Sequence, residues 1–361
     1  MASQYSEWSS NSRFNPFNTH KVLRHLDYWA PIYHGKIPPP LAVTIDPSMA
    51  CNYSCPHCNV VDEKREAIFL TKSELERLPK MLKEFGVRSV TLAGGGEPLC
   101  NNNLDVFFRG CKENELDYAL ITNGSLLENY VDTLVENKIK WVGVSVDASS
   151  PKTYSEIKGI YSKGINQFHR VTDNILDLTC RGVEVGYKYL LSQNNVAEVY
   201  TACKLAKSLG CSYIHIRPAS PTLSFKPKFT NEQVKEVLDT ITAARAELEC
   251  KTFRIYGITH KFGDNFKVDN QFDKCWSSFM YLVIQPGVRL LTCCDTRGTD
   301  KALLADNVSD VSDIPKIWGS DKHIEMVSKI DPKTCARCTF NFHNQAFENM
   351  VINDKTDSYF I

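Results

Sequence analysis

The chain carries no net charge, because its 42 lysines and arginines are matched by 42 aspartates and glutamates. No overall field therefore draws it to nucleic acid or to an anionic membrane surface. Long apolar runs are missing too: no stretch approaches the roughly 18 uninterrupted apolar residues that mark a spanning helix. Residues 1–20, MASQYSEWSSNSRFNPFNTH, hold no apolar signal-peptide core. A cytoplasmic protein with no membrane partner is expected. No internal repeat or low-complexity tract is present. Cysteine, by contrast, is plentiful, at 14 in 361 residues. In a short secreted chain that number would signal disulfides. In a long chain with no export signal it points to metal or redox chemistry. A hydrophobic content of 43% is enough for one large α/β core, or for a core and a small second domain.

From residue 41 to about 217, short β-branched runs alternate with amphipathic stretches, the rhythm of repeated βα units round a parallel sheet. Strands are expected over 41–45, 87–93, 118–122, 141–146, 185–191 and 213–217. Thr71 and Glu74 form a capping-box pattern opening a helix lined by Leu75, Leu78, Leu82 and Phe85, which Pro79 should kink. Val199, Ala202, Ala206 and Leu209 line another helix, with Gly210 as its stop. Six units fall short of the eight of a full barrel, so the expected fold is α/β, a partial (β/α)6 TIM-type barrel followed by a small C-terminal domain. The expected divisions are an aromatic-rich arm packed on the barrel (1–40), the barrel (41–220), a linker and helix (221–270) and the C-terminal domain (271–361).

Cys51-Asn-Tyr-Ser-Cys55-Pro-His-Cys58 falls just beyond the first strand, on the side where parallel βα folds place their chemistry. Three thiolates so close together can hold one face of a cubane cluster and leave the fourth iron open to a small molecule. Zinc is the alternative, with His57 as a further ligand, although structural zinc usually draws on paired CxxC units. CxxxCxxC after the first strand of a βα-repeat domain resembles the signature of the radical S-adenosylmethionine (radical SAM) superfamily. The resemblance covers residues 40–220. It implies a 4Fe-4S cluster on Cys51, Cys55 and Cys58, S-adenosylmethionine on the open iron, and reductive cleavage to methionine and a 5'-deoxyadenosyl radical that abstracts a substrate hydrogen.

Gly94-Gly95-Gly96-Glu97-Pro98 follows the second strand, where absent side chains let the backbone approach a ligand. It resembles the family's GGEP motif, which implies binding of the cofactor's amino group. Asn123 after the third strand, and Ser145 with Asp147 after the fourth, bring amide, hydroxyl and carboxylate to the same rim. The resemblance implies that Ser145 meets the methionine carboxylate and Asp147 the ribose. Each is also a preferred helix-capping residue type. Lys158-Gly159 stands where related sequences often carry Arg-Gly, and lysine lacks arginine's bidentate grip on a carboxylate. Leu190, Leu191 and Asn194 are read as core and cap rather than adenine contacts, and Tyr187 and Tyr189 as packing.

Cys275, Cys293, Cys294, Cys335 and Cys338 surround a hairpin-like segment with Pro286-Gly287 at its turn. Their spacing resembles the twitch domain, a shortened SPASM domain, which implies an auxiliary 4Fe-4S cluster on four cysteines. Cys275, Cys293, Cys335 and Cys338 are preferred, since only one of two adjacent strand residues points inward. A zinc ribbon fits the same four. Cys100, Cys111, Cys180, Cys203, Cys211 and Cys250 are read as buried small hydrophobes. A fully ligated auxiliary cluster favours electron acceptance, hence oxidation of a small polar substrate of sugar or aminocyclitol type, with a donor such as flavodoxin or ferredoxin. Three alternatives remain. They are a maturase of a ribosomal peptide, for which residues 1–40 are short for a leader-binding module, a nucleotide or RNA modifier, and a non-enzymatic iron-sulfur scaffold.

Overall fold

The computed structural model describes residues 24–58, 60, 67–160, 164–219, 228–257, 272–335 and 338–349. All six expected strands form: β1 Ala42–Ile45, β2 Ser89–Leu92, β3 Asp117–Thr122, β4 Trp141–Ser145, β5 Glu184–Leu191 and β6 Tyr213–Pro218. The sequence rhythm missed β7, Arg254–Gly257, which follows the helix Asn231–Leu248 and pairs in parallel with β6. Its four residues RIYG are too short and too mixed for a periodicity to register. The hairpin expected around Pro286-Gly287 appears as β8 Tyr281–Gln285 and β9 Arg289–Leu291, followed by β10 Leu303–Ala305.

Across the sheet the order is β10-β9-β8-β1-β2-β3-β4-β5-β6-β7. From β8 to β7 every neighbour is parallel, while β9 and β10 run antiparallel. The C-terminal hairpin is thus part of the barrel sheet: Tyr281 to Ile284 register against Ala42 to Ile45. The sheet does not close.

Strand residues alternate between two environments, as a pleated strand requires. Val43, Ile45, Val90, Leu92, Leu120, Val142, Val144, Val185, Ile214 and Ile216 enter the main hydrophobic core with helix residues such as Leu75, Leu78 and Leu82. Their inner-face neighbours Thr91, Ile121, Ser145, Lys188, Leu190, Arg217 and Tyr256 stay half-buried. The outer strand faces are therefore packed, while part of the inner face stays half-buried.

The capping box forms at Thr71 and Glu74, and the helix Lys72–Phe85 runs through Pro79 to Gly86. Pro79 lies against Gly110 of the helix Leu104–Glu113, where a β-carbon would stand 3.0 Å from the ring. Truncating any one of the fully buried Leu75, Leu78 or Leu82 to alanine should cost about 2–5 kcal/mol. Residues 1–23 of the aromatic arm lie outside the described residues. Its helix Leu26–Tyr33 docks through the Tyr28 hydroxyl, which donates to the Gly86 carbonyl at 2.5 Å.

Tyr187 and Tyr189 are fully buried and donate to the carbonyls of Ala148 and Asn195, so the packing reading holds. Cys111, Cys203 and Cys211 are buried as expected, but Cys180 and Cys250 are exposed and Cys100 half-buried. Cys180 ends the helix Gly164–Cys180, and Cys250 follows the end of another, where side chains leave the packed face. Among the described residues no helix is long and apolar enough to cross a membrane.

Candidate active site

The loop leaving β1 carries Cys51, Cys55 and Cys58, all half-buried and without disulfides. A tight turn joins the last two, the Cys58 amide donating to the Cys55 carbonyl at 3.1 Å. Burial pushes the Cys55 thiol up to about 11; nearby Lys158 opposes this, while Asp147, Cys51 and Cys58 reinforce it. Metal binding would remove that proton, since the thiolate is the ligand.

The glycine run after β2 lies beneath this loop. Gly96 donates to the Ser48 carbonyl at 3.0 Å and Glu97 to the Ala50 carbonyl at 2.8 Å. A β-carbon on Gly96 would sit 2.0 Å from the Ala50 oxygen, so only glycine lets the two loops meet. Glu97 is buried, and both of its oxygens are engaged. Oε1 accepts from Thr122 Oγ1 at 2.5 Å and Leu99 N at 3.2 Å, and Oε2 from Asn123 N at 2.7 Å. Its side chain ties the loop after β2 to the loop after β3.

Asn123 is likewise engaged with the cysteine loop: its Nδ2 donates to Asn52 Oδ1 at 2.8 Å, and Asn52 Nδ2 donates to Ser125 Oγ at 2.7 Å. Ser125 closes the ring onto Asn123 Oδ1 at 2.6 Å. Ser145 is half-buried on the open inner face of β4, and among the described residues its hydroxyl makes no hydrogen bond.

Asp147 and Lys158, both expected at the cofactor, pair with each other. Lys158 Nζ stands 2.6 Å from Asp147 Oδ2, at 2% and 1% side-chain exposure. The Leu190 amide donates to Asp147 Oδ1 at 2.7 Å, and His57 Nε2 lies 3.6 Å from Oδ2. Burial pushes the Asp147 carboxyl up, but Lys158 and His57 outweigh it and hold the group well below the usual carboxylate range. Gly159, at φ +64°, follows Lys158, and a β-carbon there would lie 2.6 Å from the Ser54 oxygen. The cysteine loop is therefore gripped on two sides, by the glycine run and by Lys158-Gly159.

A second buried pair had no signature in the sequence. Arg297 Nε and Nη2 donate to Asp46 Oδ2 and Oδ1 at 2.6 and 2.8 Å, and Gln285 Nε2 to Oδ2 at 3.0 Å. The two partners are 251 residues apart, beyond the reach of any local pattern. Asp46 leads directly towards Cys51, and Arg297 follows Cys293 and Cys294, so this pair joins the two cysteine segments.

Cys275 lies within electrostatic reach of Cys293, Cys335 and Cys338, and Asp295 reaches Cys293, Cys335 and Cys338. Cys294 interacts with Cys293 and also with Tyr281 and Arg297. Burial pushes Cys293, Cys335 and Cys338 up. Among the described residues no three histidine, cysteine or carboxylate side chains converge on a single ion. A cubane takes one thiolate per iron, so its ligands stand apart, and both cysteine groups are chemically suited to one.

A thiol-rich loop at the open mouth of a partial βα barrel defines a class of protein. Residues 45–191 match the family model described as the Radical SAM superfamily. That family implies a 4Fe-4S cluster and S-adenosylmethionine. A probable GTP 3',8-cyclase of Saccharolobus islandicus is 29% identical over 210 residues, 56% of this chain and 66% of that protein. Another, from Methanococcus vannielii, is 27% identical over 220 residues, 60% of this chain and 68% of that protein. The chain therefore spans about two thirds of the length of these relatives. Streptococcus suis SuiB bound to S-adenosylmethionine superposes with a TM-score of 0.66 at 16% identity, covering 89% of this chain and 75% of SuiB. Native anSMEcpe with bound AdoMet gives 0.60 at 17% identity, covering 87% of this chain and all of that one (100%). At these identities the likeness is one of fold.

Proposed function

We propose that this chain is a radical SAM oxidoreductase that removes a hydrogen atom from a small polar substrate held on the inner face of the barrel. The carrying observation is the cysteine loop itself: three thiols at the barrel mouth, clamped between Gly96 and Gly159 and backed by the Asp147–Lys158 pair. When bound, the reduced cluster supplies the electron that cleaves S-adenosylmethionine to methionine and a 5'-deoxyadenosyl radical.

The residues round the loop have separable roles in this reading. Glu97 and the Asn52–Asn123–Ser125 ring fix the loop against the rim. Ser145 offers a hydroxyl on the inner side, and the Gly94–Gly96 backbone offers carbonyls to an ammonium. Lys158 supplies a positive charge behind Cys55, which favours an anionic thiolate cluster over an empty loop. Cys275, Cys293, Cys335 and Cys338 would hold an auxiliary cluster, with the Asp46–Arg297 pair fixing its segment against β1. Four protein ligands leave no iron open to substrate, so its role would be to accept the substrate electron. Flavodoxin or ferredoxin would feed the first cluster.

A nucleotide is the second reading for the substrate, favoured by the relatives named probable GTP 3',8-cyclase. The test is anaerobic reconstitution with iron and sulfide, then incubation with dithionite and S-adenosylmethionine. Formation of 5'-deoxyadenosine is expected, and its loss when Cys55 is replaced by alanine. An iron-loaded chain that binds S-adenosylmethionine and yields no 5'-deoxyadenosine would leave only a scaffold.

A further inference from the structure

Three polar side chains are buried beside the second cysteine group: Ser277 at 4% exposure, and Ser278 and Asn344 at 0%. The short turn Trp276–Phe279 and the helix Asn341–Phe347 supply them, and the same two segments supply Trp276, Phe279 and Phe347 to one apolar cluster. A hydroxyl or amide buried without a partner is costly, so the partners these three find are informative. Ser277 N donates to Asn344 Oδ1 at 2.7 Å. That turns the amide nitrogen towards Ser277 Oγ at 3.2 Å, the Phe340 carbonyl at 3.1 Å and Cys338 Sγ at 3.8 Å. Ser278 Oγ donates to Cys275 Sγ at 3.3 Å, and Ser277 Oγ lies 3.5 Å from the same sulfur. A thiolate carries no proton, so once Cys275 is ionised both hydroxyls must be donors. The other two sulfurs are served as well. Asp295 N donates to Cys293 Sγ at 3.3 Å, and Lys301, whose Nζ also reaches Thr334 Oγ1, hydrogen-bonds Cys335.

We propose that Ser277, Ser278, Asn344 and Lys301 fit the second cysteine group to accept an electron, by donating hydrogen bonds to the sulfurs that hold a cluster and so raising its reduction potential. This rests on the reading of Cys275, Cys293, Cys335 and Cys338 as the ligands of an auxiliary 4Fe-4S cluster, and adds to it the residues that set its potential. Reduction adds a negative charge that the sulfurs share, and a donor aimed at a sulfur stabilises the reduced state more than the oxidised one. Burial works against this, because a shell of low dielectric penalises the added charge. So does the Asp295 carboxylate, which is within electrostatic reach of Cys293, Cys335 and Cys338 and accepts from Thr339 N at 2.6 Å. The donors offset both, acting through the sulfurs as positioning residues. One electron passes from the substrate radical to the cluster and one proton from the substrate to solvent, with an oxidised ferredoxin-type protein as the final acceptor.

The test is a potentiometric titration of the full chain with Cys51, Cys55 and Cys58 replaced by alanine, reconstituted anaerobically so that the second group alone carries iron. The electron paramagnetic resonance of the reduced cluster follows the titration. Ser278→Ala and Asn344→Ala should each lower the midpoint of this parent chain. Together they should change the oxidised-to-reduced ratio at the parent midpoint by about tenfold, about 59 mV for one electron. Lys301→Met should lower it too, and this half-buried side chain gives the reading where a buried variant does not take up iron. Asp295→Asn should raise it, a sign that loss of packing would not produce. An unmoved midpoint in variants that keep about four irons would overturn the proposal, as would a rise on loss of a donor. A parent chain that takes up no iron would remove the second cluster and the reading beneath the proposal, whereas about four irons with an unmoved midpoint would sink this inference alone.

Discussion

Gly159 shows how a single residue without a side chain can set the geometry of a cysteine loop. Its left-handed backbone costs a non-glycine residue about 1–3 kcal/mol, and a β-carbon would also press on the Ser54 carbonyl. Gly159→Ala should therefore destabilise the fold and loosen the Cys51–Cys58 loop. The measurement is iron bound per chain alongside urea unfolding, and wild-type iron in that variant would contradict the clamp. His323 carries a different residue-scale prediction. It is fully buried, Nδ1 accepting from Gly319 N at 3.0 Å and Nε2 donating to the Ser278 carbonyl at 2.9 Å. Burial pushes it down to about 4, against the Ser278 hydrogen bond. The unfolded chain takes up a proton near pH 6.5 and the folded chain does not. The stability His323 contributes is thus complete above about pH 6.5 and lost as pH falls towards 4, by roughly 3 kcal/mol. Thermal unfolding between pH 7 and 4 should show that slope, and His323→Gln should flatten it.

Among the elements, β8 and the segment after β9 matter most, because they bring the second group of cysteines onto the barrel. The Asp46–Arg297 pair fastens that segment to the end of β1, at 0% and 10% side-chain exposure. Removing one partner strands the other charge, so Arg297→Met should cost about 3–5 kcal/mol in urea unfolding. Asp46→Asn with Arg297→Gln should cost clearly less. Equal losses in the single and double variants would mean that the pair does not couple the two segments. The hairpin itself was legible from Pro286-Gly287 and its flanking apolar runs. Its docking beside β1 was not, because strand adjacency depends on which edge is left free, and no local period records that. β7 escaped for the related reason that four residues of mixed polarity carry no pattern.

At the scale of the molecule, the architecture was readable because βα periodicity repeats six times and each repeat reinforces the others. The three cysteines and the glycine run were readable because their chemistry is carried by close neighbours in sequence. The partners of the rim residues were not. Asn123 and Glu97 brace the loops, and Asp147 finds Lys158 across the helix Pro151–Lys158, a choice set by burial and packing.

The measurement that bears most directly on the two cysteine groups is iron per chain after anaerobic reconstitution, in the wild type and in the variant with Cys51, Cys55 and Cys58 replaced by alanine. About eight irons falling to about four are expected, one cubane for each group. About four in the wild type, all lost in the variant, would contradict the second cluster, and iron unchanged in the variant would contradict the first.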